Sequence, residues 1–381
     1  MGDVRFRLWF GDRVASADQL SRVEEIEVTQ EMDAFWEARI RMSMCLDQNG
    51  AWQHRPDEAA APFSRIRVEI DIGNRRFTPL IDGPLVSVDA GLDSQPGRST
   101  ASFVVRDDSA FLHRDEAVEP VFENRRDSAI AEELFGRYEQ IKAIRIDTTH
   151  ATQRCTMRRG TVLDFLRQLA LANDRHAYVL PGEQRGASIG CFLADPVDAA
   201  SLPKLVLIGD GRNLSEASIT QDPEGPQRTH ARVLRISDHG VVTFETSPAD
   251  LGLMRNLPAI PADLTPRRLL HPADNARESP EAAVSGQARR RGYVYRLSSQ
   301  VVPGCYGAVL SPYNKVRVDA GATPYSGDYL ITRVVHRITP SIYSQDLEAQ
   351  TDSVTEVSAA QVAEALGGGV SMSVSASVGI F

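Results

Sequence analysis

This 381-residue sequence predicts a mainly β fold with a small α+β insertion, its β part being two similar small β-barrels in tandem. Three observations predict it. Short segments near both ends alternate apolar and polar residues with a period of two, the middle of the chain changes to helical periodicity, and one strand–turn–strand pattern occurs twice.

Alternating runs at 4–10, 25–29, 35–42 and 65–72 each put one face in a core and the other toward water or a partner. Gly73 and Asn74 turn the chain toward strands at 80–88 and 101–105, making six short strands punctuated by Gly, Pro and Asp. Residues 1–117 are thus the first barrel, with 203–222 a candidate to complete it. From 118 to 202 the pattern is α+β. Asp127 and Ser128 are placed to cap a helix through Ile130, Leu134 and Tyr138, and Thr161 with Asp164 caps a second helix with Val162, Phe165, Leu166 and Leu169 on one face. Strands at 177–180 and 188–193 supply a hairpin to cover that face.

Strands resume at 204–208, 231–236 and 241–244, and a last β region spans 299–349. The second barrel is therefore 223–350. Within it, 247–284 holds six prolines and reads as a long loop. Residues 351–381 read as a short helix at 362–366 followed by an extended tail. The repeated pattern is 80–88 after a Val/Ile-rich strand, and 324–332 after 315–318: an apolar strand, a turn, a Gly that permits a bulge and a second strand.

The charge balance bounds the function. Lys and Arg number 42 against 51 Asp and Glu, a net charge of −9, which runs against a dedicated duplex-binding protein. No stretch reaches the roughly 20 apolar residues of a spanning helix, and the first residues lack a signal peptide's basic and apolar segments, so the expectation is assembly in a host cytoplasm. Cys45, Cys155, Cys191 and Cys305 are scattered and read as small buried hydrophobes of a reducing compartment.

The sequence has no nucleophile elbow, phosphate-binding loop, His-Glu-x-x-His, calcium loop or dinucleotide fingerprint, so no catalytic residue, cofactor or metal is expected. Residues 209–212 read as a turn, and His336 as a satisfied or outward-facing strand histidine. Arg289, Arg290 and Arg291, beside Tyr293 and Tyr295, form the best cationic patch. It suits single-stranded nucleic acid by charge and stacking, and a protein partner better in so acidic a chain. In the tail, Met372, Val374, Val378, Ile380 and Phe381 alternate with small residues, and the segment reads equally as disordered or as a strand added to a neighbour.

Three segments in order carry a resemblance. VVRDDSAFLHR at 104–114, RGTVLDFLRQLA at 159–170 and YSGDYLITRVVH at 325–336 resemble motifs of the phage late control D family, the baseplate hub proteins of contractile tails, which share their hub module with VgrG spikes. The resemblance covers about residues 1–350. It implies a homotrimeric ring joining a three-fold central spike to a six-fold tail tube, contacts with a tube-initiator and baseplate wedge proteins, and no catalysis. VgrG spikes continue into a further barrel and a β-helix needle that these 381 residues lack, which implies a separate spike. The alternatives are a β-barrel binding module for glycan or single-stranded nucleic acid, and a cell-wall-degrading tail enzyme using carboxylates.

Overall fold

The computed structural model describes residues 4–53, 61–95, 97–114, 116, 121–158, 160–197, 199, 202–222, 228–234, 241–254, 264, 266–270 and 280–353. The first β region holds β1 (Arg5–Phe10), β2 (Arg13–Val14), α1 (Ala17–Ser21), β3 (Val23–Glu31), β4 (Glu37–Ser43), β5 (Cys45–Leu46), β6 (Trp52–Gln53), β7 (Arg65–Asp71), β8 (Thr78–Gly91) and β9 (Thr100–Arg106). The insertion follows with α2 (Ser109–Leu112), β10 (Phe122–Arg126), α3 (Asp127–Gly136), β11 (Ile141–Ile146), β12 (Thr152–Thr156), α4 (Val162–Ala172), β13 (His176–Leu180) and β14 (Ser188–Leu193). The last region holds β15 (Leu205–Val206), β16 (Leu214–Gln221), β17 (Arg228–Leu234), β18 (Val241–Thr246), β19 (Arg267–Leu269), α5 (Pro280–Arg290), β20 (Tyr295–Val301), β21 (Lys315–Asp319), β22 (Gly327–Ile338) and β23 (Tyr343–Thr351).

The mainly β architecture is as the alternation predicts, but the strands do not form two separately closed barrels. Among the described residues, 13 of them make one open hydrogen-bonded sheet in which β3 pairs with β22 and so joins the two β regions. Residues 203–222 do not complete the first region either: β15 pairs with β21 and β16 with β20, both in the last region. Leu205 and Leu214 lie in the last region's core with Leu297, Val316 and Tyr329, so their apolar faces are satisfied there.

The repeat is deeper than its sequence trace. The order β3-β4-β9-β8-β7-β1 in the first region matches β16-β20-β23-β22-β21-β15 in the last. The register breaks coincide too. The irregularity beside Glu24 in β3 falls where the one beside Ser215 falls in β16, and that at Val86 in β8 where that at Thr332 falls in β22. A β-bulge leaves one residue unpaired and re-aims a strand, so bulges at matching positions mark two sheets bent alike. Against β9 the bulge in β8 thus lies at Val86, three residues beyond Gly83, and against β7 a second lies at Leu80, neither of them at the glycine. The halves differ at one edge, where β1 runs antiparallel to β7 but β15 parallel to β21.

In the insertion α4 is capped as its sequence predicts: the Asp164 amide donates to Thr161 Oγ1 at 3.2 Å, and the Asp164 side chain bonds back to the Thr161 amide. Asp127 does not cap α3. Its carboxylate is buried and accepts from Asn173 Nδ2 at 2.7 Å, tying the start of α3 to the end of α4. The stretch read as a proline-rich loop contains β19 and, at its end, the start of α5, whose proline occupies the first turn where no amide partner is lost. Of the four cysteines only Cys191 is buried; Cys45, Cys155 and Cys305 are free and exposed, on short or edge segments that no core covers. His336, read as outward or satisfied, is not outward and is satisfied at Nδ1 alone, its buried Nε2 having no hydrogen-bond partner among the described residues. It is fully buried, with Nδ1 2.9 Å from the Tyr343 hydroxyl, and burial pushes its pKa down to about 3, so the ring is neutral.

Candidate functional site

The site is the place where the two repeated sheets and the insertion meet. Along its seam β3 pairs with the second half of β22, from Arg333 opposite Glu31 to Ile338 opposite Ile26. Alternation in β3 sends Ile26 and Val28 into the core and leaves Glu27 and Glu31 at the surface. There Arg337 Nε sits 3.0 Å from Glu27 and Arg333 Nε 3.6 Å from Glu31, so charge complementarity fixes the register of the joint.

Next to this seam lies an ionic knot. Asp33, at φ 57° in the β3–β4 turn, reaches His176 Nδ1 at 3.0 Å, while Asp195 lies 3.0 Å from His176 Nε2. Arg290, the last residue of α5, reaches Asp33 at 3.3 Å and bonds the Arg175 carbonyl, and the Tyr293 hydroxyl donates to Asp195 at 2.9 Å. The Asp33 amide donates to the Tyr313 hydroxyl at 2.7 Å, and Tyr313 stacks on Tyr178 at 3.6 Å. Four segments distant in sequence are pinned around a cavity of about 260 Å³ that Thr332, Arg333 and Glu348 also line.

Both ring nitrogens of His176 lie 3.0 Å from a carboxylate oxygen, an arrangement that favours the charged ring at the centre of the knot. Burial opposes its charge, but Asp195 and Asp33 outweigh burial and the nearby Arg290, and the His176 pKa is raised. Conversely the pKa values of Asp33 and Asp195 are lowered against burial by His176 and Arg290. Because the folded-state pKa of His176 is raised, the stability it supplies is fully present below about pH 6.5 and is lost as pH rises through the raised value. The two aspartates act at the other end, where stability is lost as pH falls below about 4. The parent chain is therefore expected to lose thermal midpoint as pH rises above about 6.5, and His176→Gln to flatten that fall; an unchanged slope in a pH series of melting curves would assign it elsewhere.

A second network latches the insertion to the first β region. Arg67 in β7 is 1% exposed; its guanidinium donates to Glu69 at 2.7 Å, to Asp82 at 2.9 Å, and to the carbonyls of Gly182 and Glu183 at 2.9 and 2.8 Å. Arg65 bridges Asp82 at 2.8 Å and Asp108 at 2.9 Å, and Asp108 also accepts from Ser188 Oγ at 2.7 Å. Asp107 beside it is buried and accepts from the Trp36 and Ser109 amides at 2.7 and 2.8 Å. Burial nevertheless pushes its pKa up to about 6. With a raised carboxylate pKa the sign reverses: stability falls as pH rises from about 4 to about 6. Asp107→Asn is expected to remove that slope in the same pH series while leaving the His176 slope above pH 6.5 intact.

The cationic patch is spent inside the chain. Arg289 Nε donates to Asp174 at 2.7 Å, Arg290 belongs to the knot, Tyr295 is buried and Tyr293 holds Asp195; Arg291 is half-buried at the end of α5. Met372, Val374, Val378, Ile380 and Phe381 lie outside the described residues, as does the helix expected at 362–366. Among the described residues no group of three or more His, Cys, Asp and Glu side chains is placed to hold a metal. Sequence reasoning missed His176, Asp33 and Asp195 because they are single polar residues at strand ends and turns. It missed Arg65 and Arg67 because alternation assigns them to water; the 182–186 turn covers that face instead.

No protein-family model matches the sequence, and no curated protein sequence matches it. Solved structures do. A tail protein from Neisseria meningitidis superposes with a TM-score of 0.65 at 14% identity, covering 92% of this chain and 97% of that one. A 43 kDa prophage tail protein from Shewanella oneidensis gives 0.62 at 14% identity, covering 91% and 98%. An Escherichia coli component of the type VI secretion system, described as structurally similar to bacteriophage tail proteins, gives 0.55 at 12% identity, covering 86% and 73%. The chain has the fold of these phage tail and secretion-system proteins.

Proposed function

We propose, from a fold shared with phage tail proteins and a secretion-system component, that this chain is a structural baseplate hub of a contractile tail or related injection machine. Three copies form a ring that joins a three-fold central spike to a six-fold tail tube. The observation that carries this reading is the repeated strand order with matching bulges, β3-β4-β9-β8-β7 and β16-β20-β23-β22-β21. Two like sheets per chain give three chains six near-equivalent units, which lets one ring face a three-fold partner on one side and a six-fold partner on the other. Each unit would be one small barrel of the ring, with the strands of a neighbouring unit supplying closure. The pairing of Arg289 with Asp174 and of Arg290 with Asp33 favours the structural reading over the nucleic-acid alternative.

The test is the solution mass by light scattering, for the chain alone and with the spike protein of the same particle. A mass near three times 41.8 kDa for the chain alone is expected, or, where the ring forms only with the spike, that mass plus the mass of the bound spike. A strict monomer in both samples well above micromolar concentration contradicts the ring.

A further inference from the structure

Within the chain, one unit is joined to the other by a strand edge: β3, at the end of its half-sheet, pairs with the stretch of β22 beyond the bulge at Thr332. The equivalents of both partners exist a second time and are unused. β16 corresponds to β3, and among the described residues it pairs only with β20. The stretch of β8 beyond Val86 corresponds to that part of β22, and among the described residues it pairs only with β9. Its residues 87–91 are exposed, including Val88 at 39%, and the adjoining Leu92 is 59% exposed. Eight residues of β16 with a single acid, Glu216, and no base are a long, nearly neutral free edge of the kind folded proteins cover.

We propose that these edges pair in trans: β16 of one copy lies antiparallel to residues 88–91 of β8 of the next. The register follows from the internal joint. Bulge matching equates Ser87 with Arg333 and, through β4, β9, β20 and β23, Glu31 with Asp222. Val334 opposite Gln30 then becomes Val88 opposite Gln221, and the next pairs are Asp89 with Thr220, Ala90 with Ile219 and Gly91 with Ser218. Repeating this head-to-tail contact three times closes a ring with six like joints, three inside chains and three between them. The joints differ in chemistry. Arg333 and Arg337 zip the internal one to Glu31 and Glu27, whereas their equivalents Ser87 and Gly91 carry no charge, so the joint between chains is the weaker and forms on assembly.

This pairing rests on the ring reading, and cysteine cross-linking separates the two. In a background with Cys45, Cys155 and Cys305 changed to serine, Ala90→Cys is combined with Ile219→Cys, and separately Asp89→Cys with Thr220→Cys. Directly opposed residues have Cα atoms about 4.5–5.5 Å apart, within the span of a disulfide. Ala90→Cys with Glu216→Cys, three residues or roughly 10 Å out of register, is the control. Melting curves matching the parent establish that each variant folds. The pairing predicts that, on mild oxidation of samples trimeric by light scattering, the in-register pairs lose the monomer band to a covalent trimer and the control does not. Trimers without cross-links at either in-register pair, or with equal cross-linking of the control, overturn the pairing and leave the ring standing. Monomers throughout, with and without the spike protein, overturn both.

Discussion

Arg67→Ala is expected to destabilise the chain by about 3–5 kcal/mol, the cost of leaving one side of a buried ion pair uncompensated. The side chain is 1% exposed and its guanidinium is shared among Glu69, Asp82 and two carbonyls of the 182–186 turn. Removing it leaves two largely buried carboxylates and at least two carbonyls to be resolvated, and cuts the insertion's hairpin from β7. Arg67→Met is expected to be nearly as damaging, because volume is restored but Asp82 keeps only Arg65 and the Gly186 amide, Glu69 keeps only the longer contacts of Arg7 and Trp9, and the turn carbonyls lose their donor. Arg76→Ala is the internal control: it pairs with Glu183 on the same turn, but both side chains are largely exposed, so its loss is expected to cost under about 1 kcal/mol. Urea midpoints of the three variants decide the point. Equal effects at Arg67 and Arg76 would mean that the latch carries no more stability than a surface pair.

Gly83→Ala is expected to cost about 3 kcal/mol or more, at the upper end of overpacking effects. Gly83 and Pro84 are the last residues of β8 paired with β7, and from Leu85 the strand takes up β9, so at Gly83 its backbone passes the end of β9 at close range. A Cβ there would lie 2.0 Å from the Arg106 carbonyl oxygen and 3.0 Å from two further backbone carbons, and backbone cannot swing aside as a side chain can. Gly136→Ala is the comparison. Its Cβ would meet only the tip of Ile144 at 4.0 Å, at the helical end of α3, where alanine is the better helix former. Thermal denaturation of the pair should show a large drop for the first and little change or a gain for the second. A mild effect at position 83 would mean that the two strands part there without cost.

Much of this architecture is legible in the sequence because it rests on local rules. Alternation in 23–31, 37–43 and 65–71 marks strands, and Thr161 with Asp164 marks the start of α4, since a capping box needs only residues three apart. The pattern shared by 80–88 and 324–332 gives away the duplication. What was not legible depends on segments meeting across the chain. Alternation says that Arg67 and Glu69 share a face, not that a turn over a hundred residues later will bury it. The three arginines at 289–291 look like a surface patch until Asp174 and Asp33 arrive from elsewhere. His336 alternates as an outward residue, but β22 is covered on both faces near its end and Tyr343 receives the ring. The placement of β15 and β16 was missed for the same reason, as two short strands after an insertion can join either sheet on pattern alone.

The duplication also explains why the chain's strands make an open sheet. Each half-sheet ends in an edge strand, and one such edge is closed within the chain by β3 and β22 while its twin remains free. In the proposed ring the unsatisfied joint is the one made between copies, which would cover the free edge.

Rotational-symmetry analysis of the assembled particle by electron microscopy, on the chain with its spike, tests this most directly. The account predicts a ring of three chains whose end-on averages show three-fold symmetry with six similar lobes, alternating between the β3–β22 joint and the β16–β8 joint. End-on averages with two-fold symmetry, or a three-chain ring with only three lobes, would contradict it.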